Sequence, residues 1–465
     1  MNSRLVGAFG VTAALVLAAC GAGASPTPGA TGTAGATGTP GATAAGIIKI
    51  GVDLPLSGGD AQNGQPTLKG VQLLVDEINE AGGIDGYTLE LNIQDHVRDG
   101  KYNPDQGAAN MRVLVNDTAV VASVGPYNSS VARVQIPISN EAGLLMCSPG
   151  NTAEDLTKPE FGGLTLRPAF PDRVAYIRMA TTDDVQGPAG AAYAYNDLGL
   201  RNLLIVDDTT TFGEGVADNF QAEFERLGGT TAQRVGALPT TTDFIPILTA
   251  AAGLNLDGVY YGGVTSSGGG LMRKQMPQAG LGELPLVGPD GIQDGPGSAA
   301  TSYIGIAQEA AANSFSTIAT IGDFPGKVEF DQRFAERFAN DAEFRTVGPY
   351  SGPAYACAQV ITDSIRQALA DGVSPSDSAA FREAVRAHAL SGAEFTTVVG
   401  ETTFDENGDT SAKIISFFHV DMTADDGKGA WVFEKQQDFG GGATPGASPG
   451  GSPSPGGSPS PSVSP

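Results

Sequence analysis

The stretch IIKIGVDLPLSGGDAQNGQPTLKGVQLLVDEINEAGG, residues 47–83, decides the fold class. It opens with an apolar, β-branched run at 47–52, which is typical of a buried strand. After a turn-rich segment, apolar residues return every three or four positions from Leu68 to Ile78, which is the spacing of one helix face. The Gly82-Gly83 pair then ends the helix. The stretch therefore predicts a strand–helix unit.

This unit repeats along the chain. Further strands are predicted at 89–94, 120–124, 144–148, 203–207, 259–261 and 284–287. Helical patterns lie between them, and repeated strand–helix alternation predicts α/β lobes with parallel sheets covered by helices on both faces. Because the pattern restarts near residue 203, we expect two such lobes. The long helices predicted at 330–338 and 355–369 are expected to return to the first lobe.

The composition divides the chain into segments. We expect a signal peptide at 1–20, a Gly/Ala/Thr/Pro-rich tether at 21–46, lobe 1 at 47–169, lobe 2 at 170–318, a return to lobe 1 at 319–410, a final crossing and lobe 2 edge at 411–438, and a disordered Gly/Ser/Pro-rich tail at 439–465. The residues before Cys20 resemble a bacterial lipobox, whose cysteine is lipidated. This resemblance implies a soluble protein held on the outer face of the cytoplasmic membrane.

The charge balance excludes some partners. The formal net charge is −25, which argues against nucleic acid and against a basic membrane-surface helix. Cys147 and Cys357 lie among small apolar residues, so buried free thiols are the favoured interpretation. A disulfide between them remains an alternative.

The sequence carries few signs of catalytic or metal-binding chemistry. The three histidines have no metal-ligand spacing, and no nucleophile elbow, phosphate loop or dinucleotide fingerprint is present. The segment FDENGD, residues 404–409, has part of a calcium loop but lacks its closing ligands, so a hairpin turn is expected there. The sequence thus predicts a binding protein without catalysis, metal or cofactor.

The predicted strand ends carry the candidate binding residues. One half has hydroxyls and helix starts after its strands, at 125–130 and 148–152, which suit an anion. The other half has the turn GPDG at 288–291, whose Asp290 suits a cation. Since ligands of open α/β sheets bind beyond the carboxyl ends of the strands, these groups predict a cleft for a small zwitterion. Helix capping is the alternative role for each Ser and Thr.

At these residues the sequence resembles the periplasmic leucine/isoleucine/valine-binding proteins of branched-chain amino acid ABC transporters. The matching stretches are IKIGVDLPLSGGDAQNGQPTLKGVQLLVDEINEAGGIDG, GLLMCSPGNTAEDLT, FGEG, VYYGG, VGPDG and FDENGD. The resemblance implies the type I periplasmic-binding-protein fold, in which two Rossmann-like lobes joined by three crossings close over the ligand. It also implies a monomer that delivers a small ligand to an ABC permease.

The resemblance further implies roles for particular residues. Ser129 and Thr152 would hold the ligand carboxylate, the Gly150 carbonyl would meet the ammonium, and Asp290 would neutralise it. The implied aromatic wall consists of Tyr127, Phe212 and Tyr350.

Some positions depart from the family pattern. Asn63 stands where the best-known members have an aromatic residue, Val264 stands where a tyrosine is frequent, and Asp290 replaces a glutamate. These departures predict a roomier, more polar side-chain pocket, so the ligand can be an amino acid other than leucine or an amide-like compound. A sensory receptor for amides, urea or amino acids and, as a weaker alternative, a surface hydrolase are the rival functions.

Overall fold

A computed structural model describes residues 45–440 of the chain. The predicted signal peptide with its lipidation site Cys20, the tether up to residue 44 and the tail from residue 441 lie outside the described residues. Within 45–440, no helix is both long enough and apolar enough to cross a bilayer.

The strands in chain order are β1 (Gly46–Leu54), β2 (Tyr87–Asp95), β3 (Val97–Arg98), β4 (Lys101–Tyr102), β5 (Val120–Val124), β6 (Leu145–Ser148), β7 (Tyr176–Arg178), β8 (Asn202–Asp207), β9 (Thr230–Gly236), β10 (Gly258–Gly262), β11 (Leu286–Gly288), β12 (Ser314–Ile318), β13 (Phe395–Thr397), β14 (Gly400–Thr402), β15 (Ile414–Asp421) and β16 (Ala430–Asp438).

The α-helices of five residues or more are α1 (Ala61–Glu80), α2 (Pro104–Asn116), α3 (Ser129–Ala142), α4 (Asp183–Ala192), α5 (Thr211–Arg226), α6 (Ile245–Ala251), α7 (Gly269–Gln275), α8 (Tyr303–Ala307), α9 (Lys327–Arg337), α10 (Ser351–Ala370) and α11 (Ser378–Ala389).

Two main sheets organise these elements. The first has the order β2-β1-β5-β6-β7, and all of its pairs are parallel. The second has the order β16-β15-β12-β11-β10-β8-β9; its pairs from β9 to β12 are parallel, whereas β15 and β16 join antiparallel at one edge. The prediction of two α/β lobes with parallel sheets is confirmed, apart from this antiparallel edge.

The buried strand β1 shows why the first sheet forms. From Ile48 to Leu54 its residues are apolar with few exceptions, and all but Lys49 are buried, as a parallel strand covered on both faces requires. Helix α1 lays its apolar face on the same core, and α10 packs beside it. Gly83 ends the α1 turn with a φ of +82°, and a Cβ there would lie 2.0 Å from the Tyr87 carbonyl oxygen. Only glycine fits that position.

One predicted segment boundary differs from the structure. The sequence places residues 170–318 in the second lobe. In the structure, β7 at Tyr176–Arg178 pairs in parallel with β6 and belongs to the first sheet. Its three residues include a buried arginine, so no apolar run marked it as a strand. The chain therefore first leaves the first sheet after Arg178.

The cysteines also differ from the favoured prediction. Cys147 and Cys357 form a disulfide, with their Cα atoms 5.6 Å apart, so the prediction of free thiols is wrong. Both residues are fully buried in one core cluster, where β6 and α10 meet. The sequence separation of 210 residues hid their proximity.

The FDENGD segment forms a tight turn. Phe404 and Thr410 bridge antiparallel across it, and the Gly408 N–H donates to the Asp405 carbonyl oxygen at 3.0 Å. This is the expected hairpin turn. Its Asp409 is buried and paired with Arg178, which gives the turn a structural role.

Candidate functional site

The candidate site lies at the carboxyl ends of β5, β6 and β11, where the two lobes face each other. Hydrogen bonds around Ser148 hold two of its loops together: the Ser148 hydroxyl donates to the Pro126 carbonyl oxygen at 2.7 Å and accepts from the Asn151 N–H at 2.9 Å. The Asn151 amide in turn donates to the Tyr127 carbonyl oxygen at 2.6 Å. The loops after β5 and β6 therefore form one rigid wall.

A single pocket brings most of the predicted residues together. It is lined by Tyr102, Tyr127, Asn128, Ser129, Ser130, Gly150, Thr152, Phe212, Val264 and Asp290. Seven of the nine predicted site residues are among them, and all seven are buried. Hydroxyls and the start of α3 come from the first lobe, while the carboxylate and the apolar Phe212 and Val264 come from the second.

The two predicted residues outside that lining contact it. Tyr350, in the loop before α10, meets the Tyr127 ring edge to face at a centroid distance of 5.2 Å. Asn63, in the first turn of α1, donates its amide N–H to the Tyr127 hydroxyl at 3.1 Å. The departure at position 63 therefore places a polar side chain directly against the aromatic wall.

Gly150 lies between these two tyrosine rings. A Cβ atom there would lie 2.9 Å from a Tyr350 ring carbon and 3.1 Å from a Tyr127 ring carbon. Any side chain would push the rings apart, so the absence of a side chain lets the loop backbone approach the pocket closely.

Asp290 occupies a turn immediately after β11 and is only 2% exposed. The Tyr350 hydroxyl donates to its Oδ2 atom, and the Gln186 amide donates to its Oδ1 atom at 3.0 Å. Burial raises the pKa of Asp290 to about 6, although these hydrogen bonds oppose the shift. In its ionised form this carboxylate is a buried negative charge with neutral partners.

Asp183, at the start of α4, is a second buried carboxylate of the site. Its N–H donates to the Thr152 carbonyl oxygen at 2.9 Å, which places it beside the pocket wall. Neither carboxylate oxygen makes a complete hydrogen bond within residues 45–440, although the nearby Thr152 hydroxyl lowers the pKa somewhat. Burial, with the charges of Glu154 and Asp290, raises the pKa of Asp183 well above its usual range. The cation whose charge acts on Asp183 is Arg178, and Arg178 forms its salt bridge with Asp409.

Arg178 serves the loop that carries Thr152. It is fully buried, and its guanidinium lies 2.6 Å from Asp409 and donates to the Ala153 carbonyl oxygen at 2.7 Å and to the Thr157 hydroxyl at 2.5 Å. Burial favours a neutral Asp409, yet the Arg178 charge and hydrogen bond hold the pKa of that carboxyl below its ordinary value. The pair fixes the loop and leaves Arg178 no role in binding an anion.

Sequence reasoning missed several residues of the site. Tyr102 enters from β4, a two-residue strand that follows the Asp99-Gly100 turn; that Asp-Gly pair is a hairpin signal that could have found it. Asp183 was hidden because acidic residues are common in the first turn of a helix. Gln186 lies inside α4 and carried no signal of its own.

The pocket is closed in this conformation. Its cavity measures about 20 Å³, enough for about one water molecule. Contacts between the lobes hold it shut: Tyr350 to Asp290, the Asn63 amide to the Gln293 carbonyl oxygen at 3.4 Å, and the Asn219 amide to the Glu154 carboxylate at 2.7 Å. A ligand larger than a water molecule does not fit the pocket in this conformation.

The sequence matches known proteins over most of its length. A family profile described as periplasmic binding protein matches residues 47–428. The Leu/Ile/Val-binding protein BraC3 of Rhizobium johnstonii is 30% identical over 376 residues, which cover 80% of this chain and 91% of that protein.

Solved structures share the fold. The leucine-binding protein LivK of Thermotoga maritima has a TM-score of 0.67 at 22% identity, covering 84% of this chain and 98% of that one. The substrate-binding protein LivJ of Streptococcus pneumoniae, solved with isoleucine, has a TM-score of 0.66 at 24% identity, covering 83% and 100%. A solute-binding protein of Rhodopseudomonas palustris, solved with p-hydroxybenzoic acid, has a TM-score of 0.67 at 20% identity, covering 84% and 97%.

These similarities confirm the family resemblance and the type I fold. The related proteins are solute-binding proteins rather than enzymes, and the family is extracytoplasmic. A buried disulfide fits such an oxidising compartment. The chain belongs to the periplasmic binding protein family, within which its relatives include Leu/Ile/Val-binding proteins.

Proposed function

We propose that this protein is the solute-binding component of an ABC transporter, which binds a small α-amino acid between its lobes and delivers it to a membrane permease. The buried Asp290 carboxylate, in one pocket with Ser129 and Thr152, carries this proposal. A zwitterion buried in a closed cleft needs both charges met. Asp290 meets the ammonium, while the hydroxyls and the first N–H groups of α3 meet the carboxylate.

The charges of the site favour an amino acid over an aromatic acid. An aromatic acid carries a carboxylate without a positive group, so it brings no cation to Asp183 and Asp290. Both of these carboxyl groups are buried. Within the described residues, neither forms a salt bridge, because Arg178 pairs with Asp409 instead. An α-amino acid brings the ammonium that they lack.

The closed pocket supports a hinge mechanism. The open protein would expose the first lobe to the ligand, and closure would bring Asp290 and Gln186 over it. The lobe-to-lobe contacts of Tyr350 and Asn63 would then hold the closed form. The permease would recognise closure, and the cycle contains binding and release without a chemical step.

The proposal extends to the membrane attachment. Cys20 would be lipidated, and the segment up to residue 46 would tether the lobes to the outer face of the membrane. A Cys20→Ala variant expressed in the native host should leave the membrane fraction for the soluble extracytoplasmic fraction. Equal membrane retention of the variant and the wild type would overturn the anchor.

A thermal-shift screen tests the ligand class. We expect at least one α-amino acid to raise Tm, because a ligand that binds only the folded state stabilises it. Its deaminated analogue, the same carbon skeleton without the ammonium, should give no shift. The screen includes leucine, isoleucine, valine, basic amino acids, short amides, urea and p-hydroxybenzoate. A shift with p-hydroxybenzoate or an amide, and none with any amino acid, would refute the proposal.

A further inference from the structure

Four buried or half-buried side chains beside the pocket form a group that we name the acceptor cluster: Asp60, Asn63, Gln293 and Asp294. Three of them are at most 5% exposed: Asp60, Asn63 and Gln293. The Asn63 Oδ1 and Gln293 Oε1 atoms have no hydrogen-bond partner within residues 45–440. Asp60 Oδ2 also lacks a complete hydrogen bond there, although the Ser266 hydroxyl lies near the Asp60 carboxyl and lowers its pKa. Unpaired buried acceptors are costly to a fold, so they point to a donor that a ligand supplies.

Contacts place the acceptor cluster next to the pocket. Asn63 bonds through its amide nitrogen to the Tyr127 hydroxyl and to the Gln293 carbonyl oxygen, at 3.1 and 3.4 Å. Tyr127 lines the pocket, and so does Tyr102, on which the Asp60 charge acts. The cluster therefore begins where the aromatic wall ends, at the side of the pocket expected to hold the ligand side chain.

The acceptor cluster contains two carboxyl groups, Asp60 and Asp294, and no cationic side chain. Burial raises the pKa of Asp60 to about 6 and that of Asp294 to about 8, and the Asp60 charge adds to the second shift. The cations that act on Asp60 are His96 and Lys101. His96 lies 3.2 Å from Asp53, and Lys101 donates to the Pro239 carbonyl oxygen, so both have other partners.

Space adjoins the acceptor cluster on its far side. Gln293 and Asp294 also line a groove with a cavity volume of about 400 Å³. Gln293 and Asp294 thus border space that is large enough for a side chain longer than that of leucine. Within the described residues no three His, Cys, Asp or Glu side chains are arranged to hold a metal ion.

Resting on the proposed function, we propose that the acceptor cluster binds a second, positively charged nitrogen group at the far end of the ligand, which makes basic α-amino acids the ligand class. The α-ammonium sits on Asp290, and the terminal ammonium or guanidinium donates to Asp60 Oδ2, Asn63 Oδ1 and Gln293 Oε1. One cation supplies donors to these three oxygens and stabilises the ionised form of Asp60.

Calorimetry with matched ligand pairs tests this inference. Lysine and norleucine have the same carbon chain, and lysine adds a terminal nitrogen. Ornithine and norvaline form a second pair of the same kind. We expect the basic member of at least one pair to bind about ten- to a hundredfold more tightly, the range for hydrogen bonds to charged groups. Norleucine and norvaline binding as tightly as lysine and ornithine would overturn the inference and leave the proposed function standing. Binding of no α-amino acid would overturn both.

Variants locate the effect. Asp60→Asn should reduce the preference for the basic ligand to about threefold or less, since the buried charge is lost. Asn63→Leu, which removes an acceptor without touching a carboxylate, should also reduce it, and far-UV circular dichroism verifies that each variant folds. Asp172→Asn, the same change at an exposed position, is the matched control and should keep the wild-type preference. An unchanged preference in both folded cluster variants would overturn the assignment of the acceptor cluster.

Discussion

Buried carboxylates set the electrostatics of the cleft residue by residue. Burial raises the pKa of Asp60 and of Asp290 to about 6, and that of Asp294 to about 8. Each group ionises near its ordinary value, 3.8, when the chain unfolds. The folded protein therefore binds more protons than the unfolded chain between pH 3.8 and these raised pKa values.

This difference gives the ligand-free protein a pH-dependent stability of definite sign. The stabilising effect of these raised pKa values is fully present below pH 3.8 and is lost as the pH rises through 6 and 8. We predict that Tm of the ligand-free protein rises by several degrees when the pH falls from 8 to 5. Differential scanning calorimetry measures this. A Tm that stays constant or falls as the pH is lowered from 8 to 5 would contradict these raised pKa values.

Among the elements, β6 and α10 are joined by the Cys147–Cys357 disulfide. The bond lies next to Ser148, which orders the pocket loops, and α10 begins directly after Tyr350. It therefore ties together two sides of the site. It also closes a loop of 210 residues, which restricts the unfolded chain.

Removing the disulfide should weaken the fold. We predict that Cys147→Ala combined with Cys357→Ala lowers the free energy of unfolding by about 2–5 kcal/mol, the usual range for a native disulfide. Guanidinium titration of the wild type in a reducing agent should give a similar loss, which controls for the substitutions. Identical unfolding midpoints of oxidised protein, reduced protein and double variant would contradict a disulfide in the folded protein.

The strand–helix units were predictable because their signals are local. The apolar run of β1, the helix face from Leu68 to Ile78 and the Gly82-Gly83 stop lie within one short stretch. Strands β7 and β12 were not predicted because each is short and interrupted by polar residues. Strand β15 carries an apolar run that could have identified it, but nothing local shows that it pairs antiparallel.

The strand ends predicted Asp290 and the hydroxyl-bearing loops at 125–130 and 148–152, and the resemblance supplied the role of each residue. Ser129, Thr152 and Asp290 follow strands, and their loops meet in one pocket. Asp183 and Gln186 were missed because they come from α4, whose N-terminus reaches the pocket only through the crossing after β7. Such contacts depend on how the two sheets face each other, which no local pattern encodes.

At the scale of the whole molecule, two lobes close on one pocket. The chain passes between the sheets after β7, after β12 and between β14 and β15. The crossing segments bond to one another: the Thr181 N–H donates to the Ala319 carbonyl oxygen at 2.8 Å, and the Ser416 hydroxyl donates to the Thr320 carbonyl oxygen at 2.9 Å. Across the pocket, Asp290 of one lobe accepts a hydrogen bond from Tyr350 of the other.

The most direct measurement is calorimetric titration of the tightest-binding α-amino acid into the wild type and into Asp290→Asn. The amide keeps the shape of the side chain but cannot neutralise an ammonium. We predict a loss of about 3–5 kcal/mol in binding free energy, a few hundred- to several thousandfold in Kd, with Asp172→Asn matching the wild type. Wild-type affinity in a correctly folded Asp290→Asn would contradict the binding of a zwitterion between the lobes.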